Sequence, residues 1–209
     1  MLSEVKNKII SVCEYLKNNG FLISTEGNIS TRIDNNKIVI TPKRKDKKNL
    51  KPSDLVVIDL NGKKLLGKNQ PSGEWRVHSI IYKLRPEIKA VIHTHPVYTT
   101  ALSLTNFNIN IPVLPEIIFE VGKISLVEYA PFYTEELAEN LKKYIKDSNA
   151  FILKNHGLIT IGTSLEEALV KTEKVEYLCK VLFIANSFGK ITYLSKKQVG
   201  NLLKLVNKT

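Results

Sequence analysis

Val91-Ile92-His93-Thr94-His95-Pro96 carries two histidines two residues apart at the end of an apolar run. On a β-strand, side chains at i and i+2 share a face. The two imidazoles would then stand side by side as nitrogen ligands for a divalent metal. His156 follows a second apolar run, Phe151-Ile152-Leu153, and precedes Gly157. The chain has four histidines, and three of them end strand-like runs. Three protein ligands with one position open is the pattern of catalytic zinc, whereas structural sites are closed by four, usually with cysteine. Neither Cys13 nor Cys179 is near these histidines in sequence. The plainer alternative is a set of hydrogen-bonded, partly buried histidines, and the spacing alone leaves both open.

Glu74 is expected in the first turn of a helix opened by Pro71-Ser72-Gly73, with Ser72 as N-cap. A carboxylate there gains less than about 1 kcal/mol from the helix dipole. Its chemical reading is a general base or a displaceable metal ligand. His78, one turn on, reads as a structural hydrogen-bonding residue. Ser72-Gly73 at a helix N-terminus offers free N–H groups to an anion, and Gly27-Asn28 can form a similar backbone concavity. On local sequence alone, ordinary turn chemistry is the better explanation of both pairs.

The elements that position these residues follow from periodicity. Val5, Ile9, Val12, Cys13 and Leu16 mark an amphipathic helix stopped by Gly20. Strands are expected over 28–33, 37–41, 55–59 and 64–66, with Asn61-Gly62 a hairpin turn. A strand over 90–95 precedes a short helix after Pro96, and residues 105–120 read as irregular. A strand over 123–128, a helix over 134–146 and strands over 150–153 and 158–161 follow. Ser164-Leu165-Glu166-Glu167 opens a long helix ending before Gly189. Hairpins with interspersed helices predict a mixed sheet flanked by helices.

A chain of 209 residues is expected to form one domain over 1–209, with a basic, helical tail from about residue 190. No apolar run approaches the roughly 18–20 residues of a membrane span, and the N-terminus lacks a signal-peptide block. The two cysteines read as buried free thiols of a reducing, cytoplasmic compartment. The formal net charge is +11, carried by 31 Lys and Arg of which four are Arg. Solvation explains it first, attraction for phosphate second, and nucleic acid last, because the lysines are scattered outside Lys43-Arg44-Lys45-Asp46-Lys47-Lys48.

Together, Gly27-Asn28-Ile29-Ser30-Thr31-Arg32, Ile40-Thr41-Pro42, Pro71-Ser72-Gly73-Glu74-Trp75-Arg76-Val77-His78, Ala90-Val91-Ile92-His93-Thr94-His95 and Asn155-His156-Gly157-Leu158-Ile159 resemble the class II aldolase/adducin family. Within it the likeness is greatest to the fuculose-1-phosphate aldolases. The resemblance spans nearly the whole chain and weakens past about residue 188.

The resemblance implies an α/β fold of the α+β type: three layers, α/β/α, around a central, mostly antiparallel sheet. It implies one Zn2+ per subunit, held by His93, His95 and His156, with Glu74 as displaceable ligand and catalytic acid/base. Gly27, Asn28, Ser72 and Gly73 match positions that hold a substrate phosphate. It also implies a homotetramer with active sites at subunit interfaces, a phosphorylated sugar as partner, and neither nucleic acid nor membrane. Two departures stand out. Where the family has a small residue and glycine against phosphate, this chain has Lys43-Arg44, so either charge replaces backbone cradling or that contact is lost. Where the family has a tyrosine that protonates the leaving aldehyde, this chain has Leu114-Pro115-Glu116-Ile117. Glu116 is the candidate replacement, with Tyr129, Tyr133 and Tyr193 as alternatives.

The expected reaction is zinc-dependent, reversible cleavage of a ketose 1-phosphate, such as L-fuculose 1-phosphate, to dihydroxyacetone phosphate and a short aldehyde such as lactaldehyde. A pentulose-phosphate 4-epimerase of the same superfamily needs a further histidine near the C-terminus, and none follows His156. A methylthioribulose-1-phosphate dehydratase is the other enzymatic alternative. An adducin-like interaction domain, the non-enzymatic one, would lack metal ligands.

Overall fold

The structure, a computed structural model, describes residues 2–206. In chain order the elements are α1 (Leu2–Asn18), β1 (Asn28–Arg32), β2 (Lys37–Ile40), β3 (Val56–Asp59), β4 (Lys64–Leu66), α2 (Trp75–Leu84), β5 (Ala90–Thr94) and α3 (Val97–Ser103). There follow α4 (Pro115–Glu120), β6 (Ile124–Val127), α5 (Glu135–Lys142), β7 (Ala150–Leu153), β8 (Gly157–Gly162), α6 (Leu165–Phe188) and α7 (Lys196–Val206).

All eight strands join one sheet in the order β4-β3-β2-β1-β5-β8-β7-β6. Every pair is antiparallel except β6 with β7. Strand alternation splits the core into two faces. Ile38, Ile40, Val56, Ile58, Val91, Ile159 and Ile161 pack against Val77 and Ile81 of α2 and Leu137 and Leu141 of α5. Ile29, Val39, Val57 and Ile92 point the other way, onto Ile9, Cys13 and Leu16 of α1 and Leu165 and Ala168 of α6. Further along that second face, Ile152 and Leu158 meet Val175, Leu178 and Leu182 of α6 and Ile117 of α4. The result is the expected α/β/α sandwich around a mixed, mostly antiparallel sheet. Among the described residues, no helix is long and apolar enough to cross a membrane.

Two local expectations need correction. The helix after Pro71 starts at Trp75, with Glu74 at the N-cap position and its carboxylate not engaged in capping. Ser72 Oγ instead accepts the Glu74 N–H at 3.3 Å, closing the turn before the helix. The stretch 105–120 is not wholly irregular, because Pro115 opens α4 at a position where its missing N–H costs nothing. The basic tail forms α7, which packs against α4. Ser164 does cap α6, accepting the Glu167 N–H at 3.0 Å, while Glu167 turns to the Thr163 N–H. Cys13 and Cys179 are free and buried, and burial pushes both thiols up to about 12.

Candidate metal centre

The site lies where β1 begins, β5 ends and β8 begins. Asn28 is the register partner of His93, and His93 of Ile159. Continuing the β5–β8 register sets His95 beside Gly157, one residue after His156. Asn155 turns the chain into His156 through a left-handed conformation, φ 56°, which asparagine tolerates. A Cβ on Gly157 would lie 2.5 Å from the Thr94 carbonyl oxygen and 2.6 Å from His95 Cδ2. Only glycine lets β8 come this close to the end of β5.

The three imidazoles converge. Ring centroids are 4.6 Å apart for His93–His95, 4.7 Å for His93–His156 and 5.1 Å for His95–His156. One ligand atom from each lies within 4.8 Å of the others. His93 Nδ1 donates to the Leu158 carbonyl at 2.9 Å, which turns the Nε2 lone pair inward. This is the usual way a second partner fixes the tautomer of a ligating histidine. His93 Nε2 sits 3.3 Å from His156 Nε2. Glu74 spans the gap, with Oε2 3.3 Å from His93 Nε2 and Oε1 3.5 Å from His156 Nε2.

Burial, reinforced by the neighbouring rings, pushes His95 far below the ordinary imidazole value and His156 down to about 4. Both are therefore neutral at physiological pH, with lone pairs free. Burial works against ionised Glu74, but His93, His156 and the Asn28 amide outweigh it and hold its carboxyl low. His95 Nδ1 is buried with no hydrogen-bond partner, a costly state for a polar atom. Three converging imidazoles, one carboxylate and an orphaned ring nitrogen fit a divalent cation of the zinc type.

A polar chain behind Glu74 fixes its orientation. Asn28 Nδ2 donates to Glu74 Oε2 at 2.6 Å, so Asn28 Oδ1 must accept from His78 Nε2 at 2.5 Å. His78 Nδ1 then accepts from Ser30 Oγ at 2.6 Å, and Tyr82 OH donates to the Ser30 carbonyl at 3.0 Å. His78 is fully buried, and burial pushes it down to about 3. It is a neutral link and not a ligand.

A cavity of about 420 Å³ opens over the centre, lined by Gly27, Asn28, Lys43, Arg44, Ser72, Glu74, His95 and His156 among others. Of the residues expected to meet phosphate, Gly27, Asn28, Lys43, Arg44 and Ser72 line it, with two qualifications. Both ends of the Asn28 side-chain amide are already engaged, and its backbone is paired with His93 of β5. Gly73 lies behind the Tyr133 ring, in an adjoining cleft of about 290 Å³ shared with Lys43. A Cβ on Gly73 would meet that ring at 2.5 Å. Glu116 is exposed on α4 and does not line the cavity of its own chain. Of the tyrosines considered, Tyr133 lines it and Tyr129 and Tyr193 do not. Tyr133 holds a left-handed φ of 68°, with Lys43 Nζ 5.0 Å from its ring centroid.

Sequence reasoning missed two residues. Lys47 is buried in the cavity wall, where a basic run gave no sign of burial. Glu176 of α6 accepts the N–H groups of Tyr98 and Thr99 at 2.9 and 2.8 Å, pinning the chain just after His95-Pro96.

The class II aldolase and adducin N-terminal domain matches residues 7–183. An L-fuculose phosphate aldolase of Methanococcus maripaludis is 38% identical over 180 residues, 86% of this chain and 97% of that protein. A 3-oxo-tetronate 4-phosphate decarboxylase of Haemophilus influenzae is 35% identical over 187 residues, 88% of each chain. A solved L-fuculose 1-phosphate aldolase superposes with a TM-score of 0.85 at 31% identity, over 98% of this chain and 96% of that one.

Proposed function

The chain belongs to the class II aldolase and adducin family, and from that premise we propose that it is a zinc-dependent lyase. Its substrate on this reading is a ketose 1-phosphate of the L-fuculose 1-phosphate kind, cleaved reversibly to dihydroxyacetone phosphate and a short aldehyde. The observation that carries the reading is the meeting of three imidazoles with Glu74 at the floor of a cation-walled cavity. His93, His95 and His156, with Glu74 as a displaceable fourth ligand, would hold the ion. A bound cation supplies Lewis acidity for the negative charge that grows on the sugar oxygens as the C–C bond breaks.

The protein's own groups do the rest. In the aldol-forming direction, the Glu74 carboxylate removes a proton from the carbon beside the ketone. That carbon bonds to the aldehyde carbon, and the aldehyde oxygen takes a proton from the Tyr133 hydroxyl. Burial and the nearby Glu74 charge raise the Tyr133 phenol, which keeps it a proton donor at neutral pH. Lys43 and Arg44 bring positive charge to the phosphate end, and Gly27, Ser72 and Gly73 shape the backbone around it. Anchoring that end orients the reacting carbon. Glu116 has a part only if a second copy carries it to a neighbour's cavity, as in a tetramer. Exposed Phe119, Phe183 and Phe188 supply apolar surface for such assembly.

The 35%-identical decarboxylase supports a second reading. Loss of CO2 from a 3-oxo acid and retro-aldol cleavage both leave an electron pair on a carbon next to a ketone. The same centre serves either. Purified protein should be assayed with L-fuculose 1-phosphate, 3-oxo-tetronate 4-phosphate, ribulose 5-phosphate and methylthioribulose 1-phosphate, with and without EDTA. Cleavage of the first, abolished by chelation and by His95→Ala, is expected. Full activity after exhaustive chelation, or turnover of only one of the other three, would sink the aldolase reading.

A further inference from the structure

Lys47 has 1% of its surface exposed. Its Nζ donates to the Thr25 carbonyl at 2.7 Å and the Lys45 carbonyl at 2.8 Å. Among the described residues no carboxylate lies within ion-pair distance of it. An ammonium has three N–H groups, so one is left over. Two neutral carbonyls do not neutralise a buried charge, and an uncompensated one is costly. Lys47 also lines the cavity that holds Gly27, Lys43, Arg44 and Ser72.

The two carbonyls belong to segments bent in unusual ways. Ser24 precedes Thr25 at φ 48°, and Arg44 precedes Lys45 at φ 52°. Both are left-handed conformations that non-glycine residues rarely adopt, and such outliers collect at ligand clamps. Lys47 ties the two bends together from beneath. Lys43 and Arg44 are exposed at the rim, where water and salt weaken their pull. Lys47 is shielded from both.

We propose that Lys47 is a phosphate-binding residue of this cavity, its spare N–H and buried charge taking up a phosphate-monoester dianion. The inference rests on the cavity being a sugar-phosphate site and names the buried cation that makes it one. Burial pushes the Lys47 ammonium down to about 8, so it is still charged near neutral pH. A dianion satisfies it better than a carboxylate, which offers half the charge.

Lys47→Gln separates this role from loop tying. Glutamine keeps N–H donors for the Thr25 and Lys45 carbonyls and removes the charge. Inorganic phosphate and acetate are titrated calorimetrically into the as-purified protein and the variant. The expected result is phosphate binding at millimolar concentrations by the wild type, acetate binding at least about tenfold weaker, and phosphate affinity reduced about tenfold or more in Lys47→Gln. Equal phosphate affinity in the two proteins, no phosphate binding by the wild type, or acetate binding as tight as phosphate overturns the inference. Should Lys47→Gln not fold, the wild type carries the test: phosphate shifts the Lys47 side-chain resonance, and not that of exposed Lys63, in lysine-selective NMR spectra. No phosphate effect on Lys47 overturns the proposal. Neither measurement needs turnover, so a protein without aldolase activity that still loses phosphate in Lys47→Gln keeps this inference and discards the other.

Discussion

Asn28 Nδ2 reaches Glu74 Oε2 at 2.6 Å across 46 positions of sequence, while the other end of the same amide meets His78. The carboxylate that would move the proton is therefore aimed by a residue on a different element. Glu74 is free to be aimed because it sits at the mouth of α2 without capping it.

Asn28→Asp replaces the N–H donor with a second carboxylate facing Glu74. A hydrogen bond to a charged group contributes about 1.5–3 kcal/mol, so kcat/KM should fall roughly ten- to a hundredfold. Loss of that donor raises the Glu74 pKa, so the acidic limb of the pH profile moves to higher pH. A profile superimposable on that of the wild type would exclude an aiming role for Asn28.

Gly157→Ala forces a Cβ to within 2.5 Å of backbone oxygen and 2.6 Å of the His95 ring. Overpacking of this kind costs about 1–3 kcal/mol, and displacing His95 should weaken metal binding about 10–100-fold. Thermal melting and metal stoichiometry by mass spectrometry report the two effects separately. Unchanged metal content at limiting zinc would show that the close approach is dispensable.

Tyr133→Phe keeps the ring over Gly73 and removes the hydroxyl. If Tyr133 serves the aldehyde oxygen, kcat should drop by about 10²-fold or more with little change in KM. Glu116→Gln, on an exposed face, should leave kcat within a factor of a few. The reverse pattern would move the proton donor to Glu116 and require a neighbouring copy.

Acid should destabilise the metal-free protein through its buried histidines. His78 is held at about 3 and His156 at about 4, below the unfolded value of about 6.5. Above about pH 6.5 neither state binds the protons, and the stabilisation is whole. Between about 6.5 and 4 the unfolded chain binds protons that the folded chain refuses, so stability falls by up to about 1.4 kcal/mol per pH unit for each such histidine. Urea unfolding of chelated protein at about pH 7, 6 and 5 measures this. A flat response would mean that the rings are solvated in the folded state.

Much of this was legible in the chain itself. The His93/His95 pairing follows from a strand's two-residue period, and His156 from a strand running into a turn. The Asn61-Gly62 hairpin and the Ser164 cap are local chemistry and were read locally. Helix α4 was missed because Pro112 and Pro115 look like breakers, although Pro115 occupies the one helical position that suits it. The roles of Asn28 and Lys47 were out of reach for another reason. Each depends on partners brought together only by folding: Glu74 and His78 for the first, the Thr25 carbonyl and the cavity wall for the second. A lysine in a basic run is ordinarily solvated, and only the fold reveals that this one is not.

His93 stands on β5, His95 just past its end and His156 on the threshold of β8, and the two strands are neighbours in the middle of the eight-stranded sheet. An ion gripped there rivets two central strands whose ligands are 63 residues apart in the chain. If it binds the folded chain in preference to the unfolded one, its supply would set how often the sheet opens. Scarcity of that ion in the cell would then shorten the protein's lifetime against proteases, as well as idling whatever chemistry it performs.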